Sequence, residues 1–364
     1  MVNMVRKSNM ELLRIIAMFI ILFYHAIARG VIQYRMDTPI LGSLYVVSFI
    51  GVILFLLISG YFGIKPSVKG FLKLYLLLVF YKVLLFVVYL IRGWGGISIG
   101  VKEVVTLFLP FSGAVGHWWF FRTYILLYLT SPILNYVKKG GGRDLTIILL
   151  GIITFWFSWI WNNPNFEHGK NVVNFAFLYL LGDWLKETFV ITDTNRKRMR
   201  LHYISLYLLM ALAIGITLFY ASPRFYNIMI RMCYRYDSPV LMLMSVLFFL
   251  VFTTFDFSSK GVNWVASSAV AVYAIHENKY FDKQLWYGFI EQQYLSNDIG
   301  YFLLLLLGYC ACMYVACIFI DKIRLLVMIP INPVIEKVSL LSEKISFKVD
   351  RVYHTLINNK NKNL

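Results

Sequence analysis

Charge is scarce in this chain, and what there is leans one way. Asp, Glu, Lys and Arg make up 15% of 364 residues, with 35 basic side chains against 18 acidic ones. Beside 60% hydrophobic residues and a mean hydropathy of +0.69, so little charge excludes an ordinary soluble domain. Cysteine is scarce too. Cys310, Cys312 and Cys317 share one apolar run with no His or carboxylate at ligand spacing, and Cys233 stands alone. That argues against a disulfide framework or a thiolate metal site and for packing. Short alternating segments of the β-barrel kind are missing as well, which leaves the continuous apolar runs to be read as helices. The chain also shows no internal repeat, no Gly/Ser linker and no small-residue cleavage site after its first apolar run, so that run is expected to be retained.

The fold expected is therefore all-α and integral to a membrane. Ten spans are expected, near 10–28, 42–62, 71–91, 118–137, 145–161, 172–188, 203–220, 239–256, 263–280 and 299–320, since a helix needs about 20 apolar residues to cross the hydrocarbon. The net charge of +17 sits in short loops between runs, which points to positive-inside orientation and not to nucleic acid. With the N-terminus inside, sixteen Lys and Arg fall on the inner side and ten on the outer, favouring both termini in the cytoplasm. The membrane domain is placed at 1–320 and a basic cytoplasmic tail at 321–364. The tail's alternation of Ile, Val and Leu with Lys suits either an amphipathic helix on the inner leaflet or a solvated one.

Polar residues inside the runs mark candidate chemistry. The first run carries Glu11, Arg14 and His25, and an ionisable group within a span by default faces a functional interior. Eleven residues bring Arg14 and His25 almost to one stripe, about 16 Å apart along the axis, and Glu11 can pair with Arg14 at i, i+3. Ser59 ends the second run, and Lys65, Lys69 and Lys73 follow it. With Arg14 these lysines would suit a phosphorylated ligand, although positive-inside decoration accounts for lysines equally well. On the outer side, His117, Trp118, Trp119 and Arg122 follow a Pro- and Gly-rich segment. The tryptophans read either as interface aromatics or as a platform for a sugar ring. His276 and Glu277 end the ninth run at the depth of His25.

These residues carry a resemblance. Arg14 and His25 preceded by Glu11-Leu-Leu, then Ile58-Ser-Gly-Tyr-Phe62, His117-Trp-Trp-Phe120, Tyr128-Leu-Thr-Ser-Pro-Ile-Leu-Asn135, Leu180-Leu-Gly182 and Tyr273-Ala-Ile-His-Glu277 together resemble the acyltransferase family 3 membrane proteins. The resemblance covers about residues 6 to 320 and implies a ten-span O-acetyltransferase of surface polysaccharides in the cell membrane. Where many relatives have paired arginines at the start of the third span, this chain has Lys69 and Lys73, which cannot make a bidentate fork. By resemblance, His25 is the base or a transient acyl carrier, Arg14 positions the donor with Lys69, Lys73 and Ser59, and Glu11 orients Arg14. The donor implied is acyl-CoA, most commonly acetyl-CoA, with no permanently bound cofactor and no metal. The acceptor is a polysaccharide or lipid-linked glycan, met by His117, Trp118, Trp119, Arg122, His276 and Glu277. A non-enzymatic glycan exporter or flippase is the rival reading; it predicts repeated halves with broken helices.

Overall fold

The computed structural model describes residues 7–31, 39–93, 100–109, 118–281 and 283–344. Among these the regular structure is helical. In chain order the helices are α1 (Ser8–Gly30), α2 (Pro39–Val47), α3 (Ile50–Phe62), α4 (Val68–Ile91), α5 (Val101–Phe108), α6 (Trp119–Lys139), α7 (Arg143–Ile152), α8 (Val172–Thr188), α9 (Arg196–Tyr220), α10 (Pro223–Cys233), α11 (Pro239–Thr253), α12 (Lys260–Ala266), α13 (Ala269–His276), α14 (Lys283–Ser296) and α15 (Ile299–Val327). A π-helical stretch, Ile153–Ile160, prolongs α7, and residues 332–344 form a last helix, α16.

Six helical stretches are long and apolar enough to cross a membrane: Ser8–Gly30, Ile40–Phe62, Val68–Ile91, Arg143–Ile160, Arg196–Tyr220 and Ile299–Val327. The chain is a multi-pass membrane protein. Two apolar runs that read as single spans are broken. The second bends between α2 and α3, where the Ser48 hydroxyl donates to the Leu44 carbonyl at 2.6 Å, a bond that pulls a helix off its axis. The ninth divides into α12 and α13 at Ser267–Ser268. Helix α15 runs through position 320 to Val327. Asp321 and Arg324, which read as tail charges, are buried and paired at 2.7 Å.

Apolar side chains of α9 and α15, such as Leu208, Leu212, Leu304 and Phe319, face outward, as a lipid-facing shell requires. The interior is built around α1, α3 and α8, whose side chains are largely buried. Small residues let these three approach closely. A Cβ on Gly60 would strike the Tyr179 carbonyl oxygen of α8, and one on Gly182 would strike that of Leu57 on α3. Gly51 lies against Ala17 of α1 in the same way. The Ser-Gly and Leu-Leu-Gly motifs are thus two halves of one helix crossing, and it holds α1 in the centre of the bundle.

Candidate functional site

The i, i+3 pair expected on α1 forms as the period of 3.6 allows. The Arg14 guanidinium reaches the Glu11 carboxylate at 2.5 Å, with Glu11 buried and Arg14 partly exposed. Arg14 borders a cavity of about 340 Å³ lined by α1, α3, α4, α6, α12 and α13. Its walls are mostly apolar, with Met18, Ile21, Val52, Phe55 and Ile58 prominent. Ser59 and Tyr124 add hydroxyls 3.4 Å apart, and Tyr273 closes one side.

The Tyr273 ring leads to His25. Its centroid lies 6.3 Å from that of His25 and 5.8 Å from that of His276. Both histidines are buried. His276 Nδ1 sits 2.6 Å from the Val272 carbonyl oxygen, which can only accept, so Nδ1 carries the proton and Nε2 the lone pair. His276 Nε2 in turn lies 3.0 Å from His25 Nδ1. That assigns the His25 proton to Nδ1 and its lone pair to Nε2. Glu277 Oε1 is 3.4 Å from the same Nδ1, while Glu277 Oε2 receives Arg29 at 2.5 Å. A carboxylate held by an arginine thus faces the N–H side of an imidazole whose other nitrogen is basic.

The donor atoms of His25, His276 and Glu277 lie within 4.8 Å of one another, a grouping that can also hold a metal ion. A 3.0 Å separation between ring nitrogens is a hydrogen-bond distance, and Arg29 already takes the second Glu277 oxygen. In this arrangement the two imidazoles share one hydrogen bond, and the Glu277 carboxylate lies beside it.

The other expected residues divide. Ser59 borders the cavity with Arg14, and its hydroxyl donates to Phe55 O at 2.8 Å. Lys69 does not reach it: its ammonium pairs with Glu336 of α16 at 2.8 Å. Lys73 is exposed one position before Leu74, which does line the wall. Trp118 is buried, 5.7 Å from the Lys82 ammonium, so it is neither an interface aromatic nor an open platform. Trp119 lies against Tyr236 at 5.0 Å with the Lys170 ammonium 5.3 Å from its ring centroid. Arg122 is exposed and faces Glu167 at 3.5 Å. His117 lies outside the described residues.

Sequence reasoning missed Arg29, although it lies four residues beyond His25 and so on the same helix face. It also missed a second cavity, of about 540 Å³, bordered by Phe49, Trp159, Asn162, His168, Lys170, Tyr234, Arg235 and Tyr236. Tyr234 links this cavity to α1 through a hydrogen bond with Tyr24, the residue before His25, whose ring is 5.0 Å away. No pattern marks these residues, because they come together from four separate stretches of chain.

Two kinds of known protein give no counterpart: no curated protein and no solved structure matches the chain. A family model does. The model described as an acyltransferase domain matches residues 7–321, which takes in every side chain of the α1–α13 site.

Proposed function

The chain belongs to acyltransferase family 3, and from that premise we propose that it moves an acetyl group from cytoplasmic acetyl-CoA to a hydroxyl of an exported glycan. The observation that carries this reading is His25, whose Nδ1 is turned to His276 and Glu277, which makes Nε2 the basic nitrogen of the ring. A sugar hydroxyl is a weak nucleophile at neutral pH and needs a base of this kind. Ten spans with both termini inside would set Arg14 toward the cytoplasm and His25 in the outer half of the membrane.

The acyl thioester enters the apolar cavity, with Arg14 near its mouth and Glu11 holding the guanidinium in place. The acceptor arrives past Trp119 and Arg122. Its hydroxyl oxygen attacks the thioester carbonyl while its proton passes to His25 Nε2. The new C–O ester bond forms as the C–S bond breaks, and the departing thiolate takes up that proton. Glu277, anchored by Arg29, offsets the positive charge on the imidazole during the transfer. In a relay variant Nε2 attacks the thioester carbonyl, and the N–C bond forms as the C–S bond breaks and the thiolate departs; the acceptor hydroxyl then takes the acyl group as that N–C bond breaks, its proton passing to the thiolate. The family match favours an enzyme over a glycan exporter.

The test is transfer of labelled acetyl from acetyl-CoA to glycan in membrane vesicles by the wild type and by His25→Ala at equal protein levels. Loss of transfer supports the reading, and near-normal transfer overturns it. Sidedness has its own test. Single cysteines at positions 69 and 117, with Cys233, Cys310, Cys312 and Cys317 replaced, are expected to label from opposite faces with an impermeant thiol reagent. Labelling from one face would overturn the transmembrane route.

A further inference from the structure

The second cavity has features that acyl transfer alone does not require. Its rim is the loop from Asn162 to Lys170, and Asn162, Glu167 and His168 all adopt left-handed backbone conformations, followed by Gly169. Such a run in residues other than glycine is unfavourable and persists only where surrounding contacts hold it. Here they do. The Tyr236 amide donates to His168 O at 3.1 Å, and Asn174 donates to Gly169 O at 2.9 Å and to Tyr236 O at 3.3 Å. Arg235 donates to Asn162 Oδ1 at 2.5 Å. A Cβ on Gly169 would lie 2.7 Å from the Asp237 amide nitrogen, so only glycine allows this approach. The loop is fixed, and it presents Lys170 to the cavity.

The charges around Lys170 do not balance within the protein. Glu167 faces Arg122, Glu277 faces Arg29 and Asp237 faces Arg235. Each carboxylate has its own guanidinium. Arg235 is fully engaged, since it also donates to Ser158 O, so it holds the loop and is not left to bind a ligand. Among the described residues Lys170 has no ion-pair partner; its ammonium rests near the Trp119 ring. Burial pushes this ammonium below its usual value, with Glu167 and Glu277 pulling the other way. A half-buried cation without a counter-ion favours an anion brought from outside. The walls are aromatic, with Trp159 and Tyr234 partly exposed and Tyr236 buried behind them against Phe49, and Trp159 is fixed by donating to Met232 O at 3.1 Å. Aromatic faces suit the apolar face of a sugar ring.

We propose that this cavity is a specificity subsite for an acidic sugar unit of the acceptor, with the ring against the aromatic wall and its carboxylate or phosphate on Lys170. The proposal rests on the acceptor role given to this side of the protein, and it deepens it: the glycan acylated is anionic.

The experiment measures binding without acyl-CoA. Tryptophan fluorescence of the purified full chain in detergent is titrated with cellobiouronic acid, glucose 1-phosphate, cellobiose and inorganic phosphate. Both acidic sugars are expected to bind about tenfold tighter than cellobiose, the size of one charge-assisted hydrogen bond. Added salt is expected to erase that difference. Lys170→Gln is expected to reduce the acidic sugars to the level of cellobiose, and Lys170→Arg to keep most of the preference. Equal binding of acidic and neutral sugars by the wild type overturns the proposal, as does a preference that survives in Lys170→Gln. Inorganic phosphate binding as tightly as glucose 1-phosphate overturns the sugar part. If Lys170→Gln does not fold, Lys170→Arg and the salt titration of the wild type decide. Because no acyl transfer is read, these results stand apart from those of His25→Ala.

Discussion

Tyr81, Asp321 and Arg324 form one buried polar cluster, where α4 meets α15; His25, His276, Glu277 and Arg29 form another, where α1 meets α13. Both place charge inside a membrane protein, which is costly unless paired. In the first, Asp321 Oδ1 accepts from the Tyr81 hydroxyl and from Arg324, each at 2.7 Å. Neither cavity is lined by a residue of either cluster. In the second, the central groups are imidazoles, whose two ring nitrogens can donate and accept a hydrogen bond at once. Tyr273 connects it to the apolar cavity, and Lys170 of the aromatic cavity feels the Glu277 charge. Buried charge alone therefore does not mark a site. What distinguishes the second cluster is a pair of hydrogen-bonded imidazoles beside a carboxylate, packed against Tyr273 of the cavity wall.

Substitutions can break this contrast. The largest effect on transfer is expected from His25→Ala, with a loss of about 10² to 10⁴-fold, and more for an acyl relay; vesicle assays at matched expression measure it. Glu277→Gln keeps the shape but removes the charge facing His25. A drop of roughly 10 to 10³-fold is expected from an opposite charge at this range, with some loss of melting temperature because Arg29, which is partly exposed, loses its carboxylate. Arg14→Lys loses the guanidinium that meets Glu11 and the donor, for which a drop of roughly 10 to 100-fold is expected. Its control is the double change Glu11→Gln with Arg14→Gln: recovery of transfer there would make Arg14 structural and move it to the other class of cluster. Asp321→Asn should affect transfer least, because it leaves the His25 site untouched. It strands Arg324 without its counter-ion, so a loss of about 3–5 kcal/mol is expected, seen as a lower melting temperature in detergent. A folded, thermally normal Asp321→Asn variant without activity would erase the distinction.

Much of this is legible in the amino-acid sequence. Hydropathy locates the helices, and helical periodicity places Glu11, Arg14 and His25 on one stripe. The meeting of His25 with His276 and Glu277 lies within reach, since their runs end at one depth. Other features cannot be read because they depend on pairing across long sequence separations. Lys69 resembles any inner-face lysine until Glu336, far along the chain, is seen beside it. Asp321 and Arg324 look like the start of a solvated tail because composition cannot show that they neutralise each other inside the bundle. The breaks at Ser48–Phe49 and Ser267–Ser268 are hidden because hydropathy reports what faces lipid, not where a helix axis bends. Lys170 is one lysine in a polar loop, and only the backbone shape of that loop gives it a direction.

The crossing of α3 and α8 has a mechanical meaning. A joint in which backbone touches backbone has no rotamers to give way, so it behaves as a weld and not as a hinge. Beside Gly60 on one side of the weld stands Ser59, in the wall of the apolar cavity. Beside Gly182 on the other stands Asp183, paired with Lys138 at 2.5 Å and with Arg143 at 3.3 Å. A displacement of α8 at that charged end cannot be absorbed between the two helices and must carry α3 with it. The width of the cavity wall at Ser59 is thus geared to a cluster of charges on a different helix, in the way a lever passes load through a rigid fulcrum.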